Sequence, residues 1–546
     1  MEPGRARETI DTFEVAAPYR HWTLRLEPPL AWVEMHVDPH AGLHPGYELK
    51  LNSYDLGVDL ELAAIVQRLR FEHPEVAVVV LASAHERVFC AGANIPMLAR
   101  ASHAWKVNFC KFTNETRCAI EDATRHSGQV YVAACNGTTA GGGYELALAC
   151  EEIYLQDDGH SAVSLPEVPL LGVLPGTGGL TRLVEKRKVR RDRADVFCTT
   201  AEGVRGAKAQ AWGLVDAVFP RSTFASRVRA RALELASRRP AQATPAGVRL
   251  PPLAVEVTST CRRYRDVTLT WDDARRTGEL VVRGPSLADV ERLARDEPPD
   301  PAAWALRAFR ELDDALLHLR MNHPTIGVVT IETHGDPDVV LAHDRALLAL
   351  RDRPFHREVR LHMARVLRRL DHTSRSCFAL VRPGSAFAGC LLELALACDR
   401  IYALDDEPAA RLGVGACNHG ALPMAHGASR LATRLHGVPD ALAGERLLTA
   451  TEAEAAGLVT ECLDPLDWDD HVRIAIEERA SLSPDALAGL EQNLRLHGPE
   501  TIASRVFTRL SAWQNWIFAR PNATGPDGAL THFGRPQRPR YDWERA

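Results

Sequence analysis

No stretch of the sequence approaches the ~18 consecutive apolar residues that a membrane-spanning helix needs. The first residues, "MEPGRARETIDTFEVAAPYR", contain no apolar core of a secretory signal. No two of the 12 cysteines form a CxxC pair. In a large chain without a signal that pattern predicts reduced thiols and a cytoplasmic protein. There is no HExxH, no clustered His and Cys ligands and no phosphate-binding P-loop, so nothing argues for a metal or a nucleoside triphosphate. A surplus of positive charge is missing too. With 65 basic against 71 acidic residues the formal charge is −6, and neither nucleic acid nor a membrane surface is expected as a partner.

What is present is ordinary globular material with an internal repeat. Across 546 residues, 46% hydrophobic and 25% charged, the composition predicts more than one domain. "ELALAC" occurs twice, 248 positions apart, in "AGGGYELALAC" and "AGCLLELALAC". At the same offset Pro175 and Arg182 of "GVLPGTGGLTRL" fall on Pro423 and Arg430 of "GALPMAHGASRL". "AQAWGLVDAVFP" then pairs with "AEAAGLVTECLD" at an offset of 244. Three blocks in one order predict a duplicated domain, with four extra residues in the first copy near "VEKRKVRRDR".

Each copy reads as α/β. "LAWVEMHV", "VAVVVLAS", "QVYVAACNG" and "EEIYLQ" read as strands, and "DLELAAIVQRLRFE" and "GYELALAC" as helices. In the second copy "TIGVVTIET" and "SCFALVRPG" are strand-like, and "DPAAWALRAFRELDDALLHLR" and "REVRLHMARVLRRLD" helical. "ASRRPAQATPAGVRLPPL" reads as a linker, and "ETIASRVFTRLSAWQNWIFA" as a C-terminal helix before a Pro/Gly-rich tail. The boundaries expected are 1–255 for a first domain with an N-terminal extension, 256–465 for a second, and 466–546 for a helical C-terminal region and tail.

The first copy carries the chemistry. In "HERVFCAGANIPML" a strand ends and the chain turns at Gly92. In "TTAGGGYELALAC" three glycines let the backbone approach a ligand and open a helix whose first N–H groups lack internal partners. Free N–H groups from two such loops, meeting at one oxygen, make an oxyanion hole. Two carboxylates stand nearby in sequence. Glu145 falls in the first turn of the helix, where a dipole-favoured surface glutamate is the plain alternative. Glu167 falls in the apolar "SLPEVPLLGVLPGTGG", where it reads equally as a loop cap. A partly buried glutamate with a raised pKa can act as a general acid.

The order "FCAGANI", "AGGGYEL", "LPEVPLLGVLPGTGG", "AWGLVDAV" resembles the enoyl-CoA hydratase, or crotonase, superfamily over about residues 30–220, with a weaker match over about 320–465. The resemblance implies two tandem crotonase-like domains of repeated ββα units, the second degenerate, and an acyl-CoA thioester as substrate. CoA is then part of the substrate, and no separate cofactor is implied. By the same resemblance the backbone N–H groups of Ala93 and Gly142 hold the thioester oxygen, and Glu145 and Glu167 share the acid/base work on one water. Asn94 stands where the family usually has aspartate, which puts a side-chain cap in doubt.

The two-copy length and the ending "RYDWERA" resemble the ring-opening lyases of this superfamily. They imply epoxidised or dihydrodiol benzoyl-CoA as substrate, ring opening by water, and release of formate with 3,4-didehydroadipyl-CoA semialdehyde. A hydratase or isomerase acting on another acyl-CoA is the alternative.

Lesser candidates follow. Phe109, Cys110 and Asn114, in "HAWKVNFCKFTNETRC", fall where this fold lines the acyl pocket, although Cys110 reads equally as a small buried residue. Lys50 falls near where the family holds the CoA phosphates. "EKRKVRRDR" reads as a charged helix face or a phosphate contact. In the second copy Cys390 and Leu391 replace Gly142 and Gly143, "DVVLAHD" replaces the first loop, and Gly415 replaces Glu167. That copy is expected to be silent and to imitate the packing other members obtain by oligomerising. The chain itself is expected to form a homo-oligomer.

Overall fold

The computed structural model describes residues 9–11, 15, 17–239, 246–295 and 298–546. The centre of the expected linker and two residues of "RDEPPDPAA" lie outside the described residues. The chain divides into two compact units, Asp11–Leu250 and Pro251–Ala546, the latter with Ile10. The stretch from 466 onward, set apart in the sequence reading, clusters with 251–465.

The first unit runs β1 (Trp22–Glu27), β2 (Leu30–Met35), β3 (Val78–Ser83), β4 (Val88–Cys90), β5 (Val130–Cys135), β6 (Thr138–Ala140), β7 (Glu152–Asp157), β8 (Val163–Ser164) and β9 (Ala217–Pro220). The main sheet has the order β1-β2-β3-β5-β7-β9, with an antiparallel hairpin at one edge and parallel pairing from β2 onward. A smaller parallel sheet, β4-β6-β8, stands beside it. The main strands are nearly continuous runs of Val, Leu and Ala because both faces are covered, as parallel sheets require. On one face the helix Phe224–Ser237 presents Phe224, Val228, Ala232 and Leu235 to Leu30, Val78, Val80, Val132 and Tyr154. Burying such side chains contributes about 1.5–3 kcal/mol each before chain entropy is charged against it.

The second unit runs β10 (Glu256–Val257), β11 (Cys261–Arg263), β12 (Val267–Asp272), β13 (Thr277–Arg283), β14 (Val328–His334), β15 (Ser376–Val381), β16 (Arg400–Leu404), β17 (Arg411–Val414), β18 (Arg446–Thr449) and β19 (Glu461–Leu463). Its main sheet has the order β10-β11-β12-β13-β14-β15-β16-β19, antiparallel through β13 and parallel beyond it. From β12 onward this is the order and polarity of the first sheet. The helix Trp468–Ser481 covers it with Trp468, Val472 and Ala475 against Val328, Phe378 and Tyr402.

The repeated "ELALAC" lies in the helices Gly142–Ala149 and Gly389–Ala397. Every residue of both is buried except Gly142. A helix packed on all sides tolerates few substitutions, which is why the segment keeps its letters. Of the sequence-predicted elements, "VAVVVLAS", "QVYVAACNG" and "TIGVVTIET" form β3, β5 and β14. "REVRLHMARVLRRLD" lies within the helix Pro354–Asp371.

Candidate active site

Two backbone segments meet at the N-terminus of the helix Gly142–Ala149. After β4 the chain turns at Gly92, whose φ is +89°. A parallel bridge to Tyr54 then takes up the Gly92 carbonyl (2.9 Å) and the Asn94 N–H (2.8 Å). Alternation along the backbone sends the Ala93 N–H the other way. Gly142 is the first residue of its helix, so its N–H has no partner within the helix. A Cβ on Gly142 would stand 3.3 Å from the Ala93 nitrogen, and one on Gly92 2.9 Å from the Gly142 nitrogen. Only glycine leaves room for an oxygen between the two donors. Gly141 has φ +51°, and a side chain on Gly143 would meet Cys90 within 2.6 Å.

The Asn94 side chain keeps the cap that the sequence put in doubt. Its Oδ1 accepts from the Met97 N–H (3.0 Å), while Nδ2 donates to the Glu48 carbonyl (2.7 Å) and Ser53 Oγ (3.0 Å). The amide thus ties the loop to the segment carrying Lys50, an extra tether that a carboxylate cannot make. Lys50 itself is exposed and paired with Glu48 at 2.8 Å.

Glu145 and Glu167 face one another across this corner. Glu145 is buried, and its Oε1 accepts from the N–H groups of Thr177 (2.9 Å) and Gly179 (2.8 Å). Its Oε2 accepts from Thr177 Oγ1. Glu167 begins a short helix, Glu167–Leu171, and its Oε1 lies 2.9 Å from where a Gly141 side chain would start. Glu167 Oε2 is buried with no hydrogen-bond partner among the described residues. Burial, with the Glu145 carboxylate beside it, pushes the Glu167 carboxyl up to about 7. One carboxylate is pinned by three donors, and the other is poised to exchange a proton near neutrality.

The helix His103–Asp122 brings Cys110 and Asn114 to the same corner. Asn114 Nδ2 donates to the Gly176 carbonyl at 3.1 Å, and Cys110 Sγ stands 3.9 Å from where a Gly176 Cβ would sit. Burial and the nearby Glu145 push the Cys110 thiol up to about 11, which disfavours the thiolate near neutral pH. Phe109 is buried on the same helix. "EKRKVRRDR" is largely occupied within the unit: Lys186 pairs with Glu121 (3.2 Å), Arg187 with Asp216 (2.8 Å) and Arg190 with Asp192 (2.6 Å).

Two supporting residues escaped the sequence reading. Thr177 makes two of the three bonds that fix Glu145, and only its place in "PGTGG" hinted at it. Arg117, fully buried, donates to the Gly142 carbonyl (3.0 Å) and lies over the Tyr54 ring at 5.7 Å. It thereby sets a positive charge behind the helix start. Its sequence distance from Gly142 gave no sign of the contact.

The matching corner of the second unit is filled from within. Gly389 keeps the left-handed backbone (φ +46°), but the next residue is Cys390, whose N–H donates to Asp344 Oδ2 at 2.6 Å. Val340 and Leu341 are buried within a continuous helix, Pro337–Ala349, and form no loop there. Glu393 accepts from Arg430 (2.8 Å) and Asn418 (2.7 Å), and Arg430 also grips Asp371 through two bonds of 2.7 and 2.8 Å. All of these side chains are buried. No cluster of His, Cys, Asp and Glu able to hold a metal occurs among the described residues, and no helix there is long and apolar enough to cross a membrane.

Residues 49–247 match the family model described as enoyl-CoA hydratase/isomerase. The chain is 52% identical over 546 residues, 98% of each chain, to a benzoyl-CoA-dihydrodiol lyase from Aromatoleum evansii. Among solved structures it is 36% identical to an enoyl-CoA hydratase from Geobacillus kaustophilus, covering 40% of this chain and 75% of that one (TM-score 0.35). It is 26% identical to an enoyl-CoA hydratase from Bacillus anthracis, covering 40% and 77% (TM-score 0.35).

Proposed function

Because the chain belongs to the enoyl-CoA hydratase/isomerase family, we propose that it is a carbon–carbon lyase that opens the oxidised ring of epoxidised, or dihydrodiol, benzoyl-CoA. The products are formate and 3,4-didehydroadipyl-CoA semialdehyde, in aerobic benzoate degradation. The observation that carries this reading is the 52% identity to a benzoyl-CoA-dihydrodiol lyase over 98% of both chains.

The thioester oxygen lies between the N–H groups of Ala93 and Gly142. These donors stabilise the charge that moves onto it when the ring carbons react. Glu145, held still by Thr177 and Gly179, accepts a proton from water as the water attacks the ring. Glu167 donates a proton to the opening oxygen or to ring carbon and is recharged when Glu145 passes on the proton it took from the water. From the epoxide, loss of one carbon as formate takes up two waters, so no oxidant or metal is needed for the balance. Cys110 and Asn114 form part of the wall around the ring, with Phe109 behind them, and Lys50 stands ready for a CoA phosphate. The three bonds on Glu145, the raised pKa of Glu167 and the unpaired donors support this division of labour.

The second unit is a silent duplicate of the first. The shared strand order, the helix packed on each sheet and the positions of Arg182 and Arg430 support common origin. The Asp344 carboxylate on the Cys390 N–H supports silence. It takes the place of packing that other members obtain from partner chains, and the whole chain works as a homo-oligomer in the cytoplasm.

The test is to supply epoxidised benzoyl-CoA and crotonyl-CoA separately and to assay formate. Formate is expected from the first only. Rapid hydration of crotonyl-CoA with no formate from either substrate would refute the reading.

A further inference from the structure

The second unit holds a cavity of about 540 Å³ whose wall includes the Arg430–Asp371 pair. Its size is that of a small-molecule site. Arg430 and Arg495 on its wall are matched by acids: Arg430 by Asp371 and Glu393, Arg495 by Asp399 and Glu491. Arg434 and Arg505 also line it, and they are not matched. Arg434 donates to the Cys398 carbonyl (2.7 Å) and Arg505 to the Asn493 carbonyl (3.0 Å). Among the described residues neither forms an ion pair. Burial lowers the Arg434 pKa from arginine's ordinary value, the mark of a cation set out of water without sufficient counter-charge. His436 and His497, stacked at 4.6 Å and 14°, complete the wall.

The first unit shows how this charge is otherwise neutralised. Lys186, 248 residues before Arg434, reaches the Ala149 carbonyl (2.8 Å) and is paired with Glu121 at 3.2 Å. The residue 248 positions after Glu121 is Arg369, which turns to Asp313. At this place the second unit has lost the paired acid and kept the cation, which lines a cavity. Holding a guanidinium in such a place is costly unless an anion from outside completes it. Asp399 acts on Arg434 from a distance, but among the described residues neither Arg434 nor Arg505 is bound by a carboxylate, and two such planar forks suit phosphate oxygens.

We propose that this cavity binds a small phosphate-bearing anion, with Arg434 and Arg505 as its ligands. The site does no chemistry in the lyase reaction and is independent of the reading of the first unit.

The test is calorimetric titration of the full chain with inorganic pyrophosphate and, separately, with AMP. Each should bind once per chain. Arg434→Gln and Arg505→Gln should each weaken the binding at least about tenfold, while formate release stays within about twofold. Tighter AMP than pyrophosphate binding identifies a nucleotide, and equal binding a bare phosphate; both uphold the site. Should Arg434→Gln fail to fold, as judged by circular dichroism, Arg505→Gln decides alone. Absence of binding up to about 10 mM, about ten-thousandfold weaker than a micromolar site, overturns the proposal, as does binding unchanged in the folded variants.

Discussion

Glu145 and Glu393 sit in the same turn of nearly identical helices, and their surroundings separate them. Glu145 is held by Thr177 and Gly179, which carry no charge, and Arg182 is kept off it by pairing with Glu121 (2.9 and 3.0 Å). Glu393 is gripped by Arg430 itself, which is also bound to Asp371. The first arrangement fixes a carboxylate in place through neutral donors, with no cation bound to it among the described residues. The second is a buried salt bridge, in which removing one partner would strand a buried charge. The backbone tells the same story. Of the three glycines before the first "ELALAC", the one that survives in the second unit, Gly389, is the one with positive φ. That conformation is a requirement of the turn in either unit. Of the two that changed, Gly142 leaves room for a ligand beside the Ala93 nitrogen, and Gly143 leaves room for Cys90 to pack against the helix.

The sharpest way to break this comparison is to exchange the glutamates. Glu145→Gln and Glu167→Gln should each lower formate release about 10²–10⁴-fold without loss of folding. Glu393→Gln should leave turnover within about twofold but cost about 1–3 kcal/mol of stability, seen as a lower thermal midpoint, because it weakens a buried charged contact. A disabling Glu393→Gln would reverse the assignment of the working unit. Next come the glycines. Gly142→Ala puts a methyl group between the two donors and should lower kcat/KM about 10²-fold, the effect of losing one oxyanion donor. Cys390→Gly should create no second activity, since Asp344 still holds that N–H. Thr177→Val should cost about tenfold in kcat, one hydrogen bond's worth, with Thr177→Ser recovering most of it.

The smallest effect concerns pH. Glu167 has its pKa raised to about 7, so its proton is present below that pH and lost above it. A step that uses the proton slows as pH rises through 7. The same shift means that the charged form is disfavoured in the folded protein, and stability falls as pH rises through the folded pKa. Glu167→Gln should therefore raise the thermal midpoint more at pH 8 than at pH 5.

Much of this was legible in the residues. "AGGGYELALAC" and "FCAGANI" announce two backbone turns, and their glycines mark where a ligand approaches. The central parallel strands β3, β5, β14 and β15 announce themselves as largely apolar runs. The antiparallel strands β11–β13 and the helical form of "DVVLAHD" were not read, because amphipathic stretches there carry no distinctive punctuation. Arg117 on the Gly142 carbonyl, Asp344 on the Cys390 N–H and Glu121 against Lys186 join residues 25 to 65 positions apart. Such contacts depend on how elements pack, and a pattern in one sequence does not encode them locally. The cap at Asn94 stood in doubt for a similar reason: its Oδ1 caps the Met97 N–H while its Nδ2 reaches the Glu48 carbonyl, a contact that an aspartate carboxylate cannot make.

The account rests on one working corner in the first unit, and a crystal structure of the full chain with benzoyl-CoA bound tests it most directly. It should place the thioester oxygen about 2.7–3.1 Å from both the Ala93 and Gly142 nitrogens, with the ring between Glu145 and Glu167 and the Cys390 N–H still on Asp344. A thioester seated at Cys390, or one in the first unit that leaves those two donors untouched, would contradict it.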